Sequence, residues 1–371
     1  MENVMLIMSG TRKVCSNEYN IIKTLQVEEV ENCLKEFQTV IDFIQSGIDN
    51  KVTNIVLLLG NKTYDNVLQV LYKGGLYGLV KVWILPEYNS EFKELNIENH
   101  FIEIKDYNKP RLESFQVHLT DVCNLNCKGC GHFSNIAKEK NFLDVDQYTN
   151  DLKRLKEMFW GVERIYLLGG EPLLNRDIEK IIKKTREMFP DSQIRITTNG
   201  LLLPNMSTYF FDTVNTTKSH IEISMYPKTY ESKEEISGVL EKYGLTDTTI
   251  IWGRIIFTKK LLRKKNKLPQ RSFVNCFSRE NSCFLLRDGK LAKCPMMLLI
   301  DIFDKKYGIN RQCKKDYIDL HMDNINGWEA LERLSKVSEM CNYCAENPEE
   351  FEWGMKGHED ATAEDWFIEE Q

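Results

Sequence analysis

Three of the chain's eleven cysteines fall within eight residues, Cys123, Cys127 and Cys130 in DVCNLNCKGC, spaced Cys-x3-Cys-x2-Cys. Three thiolates in one loop can wrap one face of a cubane iron–sulfur cluster and leave its fourth iron open. An open metal corner is a ligand-binding position, as it is in catalytic metal sites generally. The spacing alone is also open to a zinc knuckle, which needs a fourth ligand; His132 is the nearest candidate.

A second group lies further on. Cys276 and Cys294 are separated by seventeen residues, with Gly289 five positions before Cys294, and Cys341/Cys344 form a Cys-x2-Cys pair. Four thiolates would close every iron of a second cluster, which would then tune a site or carry electrons rather than bind a ligand. A structural zinc ion suits the same set. Cys283 and Cys313 read as small buried hydrophobes, with Cys283 an alternative to Cys276. Metal-binding thiols fit a reducing compartment. MENVMLIMSG has no basic n-region and only a short apolar run, so it reads as a first strand and the expected location is cytoplasmic.

The elements that must position these residues follow from periodicity. Residues 113–260 alternate strand and helix: strands at 115–120, 164–170, 193–200, 220–226 and 249–255, helices at about 146–159, 176–188 and 231–243. Such alternation implies a parallel sheet covered by helices, with ligands at the carboxyl ends of its strands. The cysteine loop follows the first strand. The second ends in Gly169-Gly170-Glu171-Pro172, where glycines admit a ligand to the backbone and Glu171 supplies negative charge. The third ends TTNG with Asn199, the fourth places Glu222 and Ser224 on one face, and the fifth carries Trp252-Gly253-Arg254. Residues 1–112 read as a small α/β unit, with strands at 4–8, 54–60 and 79–86, one more at 101–104, and a helix at 27–44. Residues 261–345 hold the later cysteines and a helix at 327–337, and 346–371 form an acidic tail with Trp353 and Trp366. The basic run 259–267 reads as solvated surface. LLLGNKT at 57–63 lacks the full phosphate-loop pattern and reads as a buried strand. His118 and Asp121 read as supports, and Phe351 and Trp353 either cap the pocket or pack.

The three-cysteine loop after a first barrel strand, with GGEP one strand–helix unit later, resembles the radical S-adenosylmethionine superfamily. The later cysteines resemble its auxiliary-cluster extension, called Twitch or SPASM. The resemblance implies an α/β fold: a partial (β/α)6 TIM-like barrel, a small Rossmann-like α/β domain before it and an auxiliary iron–sulfur extension after it. It implies a [4Fe-4S] cluster on Cys123, Cys127 and Cys130, whose open iron takes the amino and carboxylate groups of S-adenosyl-L-methionine. Reductive cleavage would then give a 5′-deoxyadenosyl radical that abstracts hydrogen from a substrate. Gly169, Gly170, Glu171, Asn199, Ser224 and Arg254 would contact S-adenosylmethionine, with Ser224 at the ribose and Arg254 at the carboxylate or near the substrate. Cys276, Cys294, Cys341 and Cys344 would hold an auxiliary [4Fe-4S] cluster. A low-potential donor such as flavodoxin or ferredoxin would supply the electron. The chain departs from the family in one place: the family usually has an aromatic residue just before the third cysteine, and here Gly129 stands there, with Phe133 as the expected replacement.

The substrate is read as small or nucleotide-linked, such as a sugar alcohol, with oxidation or epimerisation as outcome. A peptide-modifying maturase is the alternative enzyme, and a zinc-stabilised binding module the alternative without catalysis. Net charge −6 argues against a dedicated nucleic-acid binder, and no apolar run approaches the roughly 18 residues of a membrane span.

Overall fold

The computed structural model describes residues 2–9, 13–15, 19–27, 37–59, 61–74, 76, 78–84, 94–96, 102–107, 109–311 and 316–368. Packing divides the chain into two compact units: residues 1–111 with 325–336, and residues 112–324 with 337–371.

The first unit has a five-stranded sheet in the order Tyr19–Val27, Glu2–Ser9, Asn54–Leu58, Lys81–Ile84, Ile102–Glu103. The first four strands are parallel and the last antiparallel. Helices Phe37–Asp49 and Asn61–Lys73 accompany it. Its core gathers Met5, Ile7, Ile44, Ile55, Leu57 and Val70. Sequence periodicity misses Tyr19–Val27, because an edge strand with outward Ile22 (48% exposed) lacks a continuous apolar run. Ile104 begins a short helix, Ile104–Tyr107, instead of ending a strand. Residues 28–36 of the expected 27–44 helix, with Cys33, lie outside the described residues, as do Gly60 of the 57–63 segment and residues 85–86. Helix Gly327–Ser335 opens on a capping box formed by Asn326 and Glu329 and places Trp328 in this unit's core.

The second unit carries the strand–helix repeat. Its sheet runs Ile250–Gly253, His220–Met225, Gln193–Thr198, Gly161–Leu168, Arg111–His118, Leu285–Arg287, Lys290–Ala292, Ile318–Asp319. The five strands of the repeat therefore stand in chain order, and the second to fifth pair in parallel. Leu285–Arg287 adds a sixth parallel strand on the first strand's other flank. The described residues form an open α/β sheet, a partial barrel. Helices Val145–Met158, Ile178–Met188 and Lys233–Lys242 fall where periodicity places them. Thr208–Thr216 and Met296–Tyr307 are additional. The first escapes a pattern reading because it is short and rich in Thr and Phe; its signal is the cap, Ser207, whose side chain accepts from the Phe210 N–H.

Side chains alternate along the second, third and fourth strands of the repeat. Ile165, Leu167, Ile194, Ile196, Ile221 and Ile223 are 0–1% exposed. Their neighbours Tyr166, Arg195, Thr197, Glu222 and Ser224 take the opposite face, because strand period is two. A parallel sheet covered on both faces is apolar throughout; this one is apolar toward one side only.

Residues after 345 do not form a solvated tail. Cys344–Glu352 is a strand antiparallel to Ile256–Leu261, so part of the basic run is paired sheet, with Lys259 bonded to Glu349 at 3.1 Å. Trp366 and Phe367 are 3% and 4% exposed and pack with Phe133, Phe303 and Leu261. Phe133→Ala should cost about 3–5 kcal/mol, because the ring is 0% exposed and the truncation leaves a cavity; equilibrium urea unfolding monitored by tryptophan fluorescence measures it.

Candidate functional site

The first strand ends at His118, and the chain then turns through the cysteine loop. Leu119 N–H donates to Leu168 O at 2.7 Å and Gly170 N–H to Thr120 O at 2.6 Å, so the first two strands stay paired to their ends. The glycines make this possible. A Cβ on Gly170 would lie 2.2 Å from Val122 O, and one on Gly169, whose φ is +149°, would lie 2.7 Å from Thr120 O. Both positions are needed by the backbone of the cysteine loop itself.

Cys123, Cys127 and Cys130 sit side by side, each near enough to feel another's charge, and none is in a disulfide. Burial pushes all three thiols up, Cys127 to about 12. Small dipoles oppose it: Leu125 N–H donates to Cys123 Sγ at 3.4 Å and Trp353 Nε1–H to Cys127 Sγ at 3.2 Å. Three adjacent thiolates that have lost most of their hydration are costly unless a cation neutralises them, and a coordinating metal deprotonates thiols outright. The donor set therefore fits a cationic cluster.

Gly129 has φ +64°, and a Cβ there would lie 2.7 Å from both Asp365 O and Phe351 Cζ. The expected replacement, Phe133, points instead into the core against Phe303 and Trp366, at 5.5 and 5.8 Å between ring centroids. Its backbone is left-handed, with φ +57°. The aromatic neighbour of Gly129 is Phe351, supplied by the C-terminal strand.

The C-terminal segment grips the loop throughout. Lys128 N–H donates to Gly354 O, Lys356 N–H to Asn126 O, Trp366 Nε1–H to Cys130 O and Asn135 Nδ2–H to Lys356 O, all at 2.7–3.1 Å. Cys127 and Met355 form an antiparallel bridge.

Glu171 is fully enclosed. Its carboxylate accepts from Thr198 Oγ1 at 2.6 Å, Asn199 N–H at 2.9 Å and Leu173 N–H at 3.1 Å, joining the second and third strand ends. Burial nevertheless raises it to about 7. Asn199 Nδ2–H reaches Asn124 Oδ1 at 2.6 Å, so the third strand's end touches the cysteine loop directly. Ser224 is 7% exposed and pairs in register with Trp252 of the fifth strand. Arg254 is exposed at that strand's end, its N–H donating to Met225 O.

On the polar side of the sheet, Arg195 is bonded to Glu222 at 3.1 Å and lies over the Tyr166 ring at 5.5 Å. Buried Thr197 Oγ1 and Gln116 Oε1 have no hydrogen-bond partner among the described residues. Buried polar atoms are almost always satisfied, so these acceptors suit a polar ligand. His118 Nε2 meets Asp121 Oδ1 at 2.7 Å. Burial alone would raise Asp121, but His118, the Arg287 guanidinium at 2.8–3.0 Å and Asn141 hold it down to about 2. His132 stacks on His118 at 5.4 Å, and burial keeps it neutral, lowered to about 3. A cavity of about 390 Å³ opens on the other side of Asp121 and Arg287, edged by Lys138, Lys290 and Tyr317.

The second cysteine group is assembled from three loops. Cys276 precedes helix Phe277–Glu280, Cys294 follows strand Lys290–Ala292, and Cys341 and Cys344 frame the last turn before the C-terminal strand. Cys294 acts electrostatically on Cys344, and both respond to Cys276 and Cys341. Burial raises Cys294 to about 12 and raises Cys344 as well. Asn266 Nδ2–H donates to Cys341 O and Cys344 O, and Ser272 Oγ–H to Cys344 O. Cys283 lies beside Cys276 and is raised by burial to about 11. Cys313 lies outside the described residues. The Lys260 ammonium lowers the Cys294, Cys344 and Cys283 thiols, and His132 of the first loop. Sequence reasoning left Trp353 open between capping the pocket and packing, and missed Arg287 and Trp366 as neighbours of the site.

Residues 117–217 match the profile described as "Radical SAM superfamily". A "GTP 3',8-cyclase" of Alkaliphilus oremlandii is 32% identical over 103 residues, which is 27% of this chain and 32% of that protein. A "Probable GTP 3',8-cyclase" of Sulfolobus acidocaldarius is 27% identical over 218 residues, 57% of this chain and 67% of that protein. The chain spans about a third of the length of several of the curated relatives it matches. Among solved structures, BtrN in complex with AdoMet and 2-DOIA aligns with a TM-score of 0.42 and 14% identity, over 64% of this chain and 94% of that one. No helix among the described residues is long and apolar enough to cross a membrane.

Two outcomes follow from the strand ends. Gly170→Ala should destabilise the protein by about 1–3 kcal/mol, since backbone must move to admit the methyl group; urea unfolding measures this. The proton on Glu171 adds stability that is fully present below pH 4.5 and is lost as pH rises through about 7. The wild type's unfolding free energy relative to Glu171→Gln should therefore be greater at pH 5 than at pH 8 by about 2–3 kcal/mol. Denaturant titrations of both empty proteins at the two pH values check it.

Proposed function

With a radical SAM domain at residues 117–217 as the premise, we propose that this chain cleaves S-adenosylmethionine reductively and uses the resulting carbon radical on a small, polar or nucleotide-linked substrate. The observation that carries the proposal is the side-by-side burial of Cys123, Cys127 and Cys130 at the carboxyl end of the first parallel strand, inside the matched segment. These three residues would hold a [4Fe-4S] cluster, and Cys276, Cys294, Cys341 and Cys344 a second one. When bound, the first cluster and S-adenosylmethionine supply a one-electron cleavage giving a 5′-deoxyadenosyl radical, with the electron drawn from a low-potential donor of the flavodoxin or ferredoxin kind.

The chain's own residues bind, orient and enclose. Gly169 and Gly170 hold the cysteine loop against the second strand, and Glu171 and Asn199 lock the third strand to the same loop. Ser224 and Arg254 lie on or beyond the fourth and fifth strands, where the sulfonium ligand's ribose and carboxylate would reach them. Arg195, Glu222, Thr197 and Gln116 form a polar floor suited to hydroxyl or amide groups. The Lys260 ammonium acts on Cys294 and on His132, and its positive charge suits an anionic substituent.

Two substrate readings follow from different observations. The second cysteine group supports oxidation at a carbinol carbon of a sugar or alcohol, because a closed cluster can accept the electron that a substrate radical gives up; epimerisation would instead need a hydrogen atom returned to that carbon. The relatives' name, GTP 3',8-cyclase, favours a purine nucleotide and ring closure instead.

Anaerobically reconstituted protein should be brown and hold about eight irons, and should release 5′-deoxyadenosine from S-adenosylmethionine under strong reduction. A colourless zinc protein, or one inert to S-adenosylmethionine, would sink the proposal. Cys123→Ser should abolish 5′-deoxyadenosine formation. Cys344→Ser should lower the iron content to about four while leaving S-adenosylmethionine cleavage measurable by liquid chromatography.

A further inference from the structure

We propose that Trp353 is a positioning residue that tunes the first cluster, its indole N–H donating to Cys127 Sγ and raising that cluster's reduction potential. The inference rests on the cluster reading above and adds a residue far from the matched segment.

The donor is held from three sides. Its backbone N–H donates to Ile255 O at 2.8 Å, anchoring it to the end of the fifth strand. Its ring stacks on Tyr226, at 5.7 Å with an interplanar angle of 26°, and Tyr226 meets Phe257 edge-on at 6.0 Å. On its other side, Gly354 O takes the Lys128 N–H at 2.8 Å and Met355 bridges Cys127 itself. The seam that ties residues 126–128 to residues 354–356 holds the Trp353 backbone beside Cys127, and leaving the sulfur would cost the indole its stack on Tyr226. Its Nε1–Sγ distance is 3.2 Å, and Cys127 is 8% exposed.

The electrostatic consequence has a fixed sign. One-electron reduction adds negative charge that is shared by the cluster sulfurs. An N–H dipole aimed at a ligand sulfur stabilises the reduced form more than the oxidised one, and burial in a water-poor site enlarges the difference. Removing the donor must make reduction harder. Neither Phe351, which covers Gly129, nor Trp366, whose N–H goes to the Cys130 carbonyl oxygen, points a donor at sulfur in this way.

The test is a potentiometric titration with dithionite of the reconstituted full chain, following the electron paramagnetic resonance signal that changes when S-adenosylmethionine is added. That criterion separates the first cluster from any second one. Trp353→Phe keeps an aromatic ring and removes the N–H. It should retain the iron and sulfide of the wild type, and its reduction equilibrium should become less favourable by about tenfold, which is 59 mV for one electron. Trp353→His restores a ring N–H and should recover part of the shift. An unchanged potential in fully loaded Trp353→Phe overturns the proposal and leaves the indole a packing role. If Trp353→Phe fails to load, Trp353→His decides: recovery of the cluster supports the N–H, and failure of both assigns the effect to bulk and overturns it. A wild type that itself binds no iron refutes the cluster reading instead, a result distinct from all of these.

Discussion

Burial of negative sulfur is the constraint around which the second unit is arranged. Seven cysteines lie in two groups, six of them half-buried and Cys127 buried, and loss of hydration raises the Cys130, Cys294 and Cys344 thiols. Such a concentration of thiols is an expensive choice for packing alone, since leucine or alanine would fill the space without a titratable group. It becomes economical once cationic clusters replace the protons. The surrounding polar groups then have a common purpose. N–H donors face the sulfurs, Asn266 and Ser272 fix the carbonyls of the second group, and the Lys260 ammonium acts on Cys294 and on His132.

The sheet delivers the first group to its place. Its helix-facing isoleucines and leucines bury apolar surface, at roughly 25 cal/mol per Å², and this leaves the opposite face free to be polar. An Arg–Glu pair and two buried unsatisfied acceptors on that face would be defects in a structural core. They are ordinary in a chamber that encloses a hydrogen-bonding ligand. The strand ends close the other side of the chamber. Glu171 and Asn199 connect three consecutive units to the cysteine loop, so a shift in one strand end moves the sulfurs.

The C-terminal strand completes the enclosure. It pairs with residues 256–261 and supplies the aromatic ring beside Gly129, and the segment that follows it bonds the loop backbone through Gly354 and Lys356. The ring beside Gly129 thus comes from a position far away in sequence. The left-handed backbone of Gly129 and the ring of Phe351 go together, because any side chain at 129 would occupy the space the ring now fills.

The sequence by itself determined what short-range chemistry can encode. Three cysteines in eight residues specify a multidentate loop, and a period of two in RIYLL, QIRITT and HIEISM specifies strands with one polar face. That the five strands stand in chain order was left to the tertiary structure, because strand–helix repeats also form doubly wound sheets with reordered strands. Edge strand Tyr19–Val27 and helix Thr208–Thr216 stayed hidden, since neither has a strong apolar period and one is defined by its cap. Only the tertiary structure decided that Arg287 clamps Asp121 across 166 residues, that Trp353 meets Cys127 across 226, and that Phe133 turns into the core while Phe351 covers Gly129. Contacts between residues so far apart in sequence depend on which strand edges pair, and an indole in an acidic segment carries no local mark of the sulfur it will face.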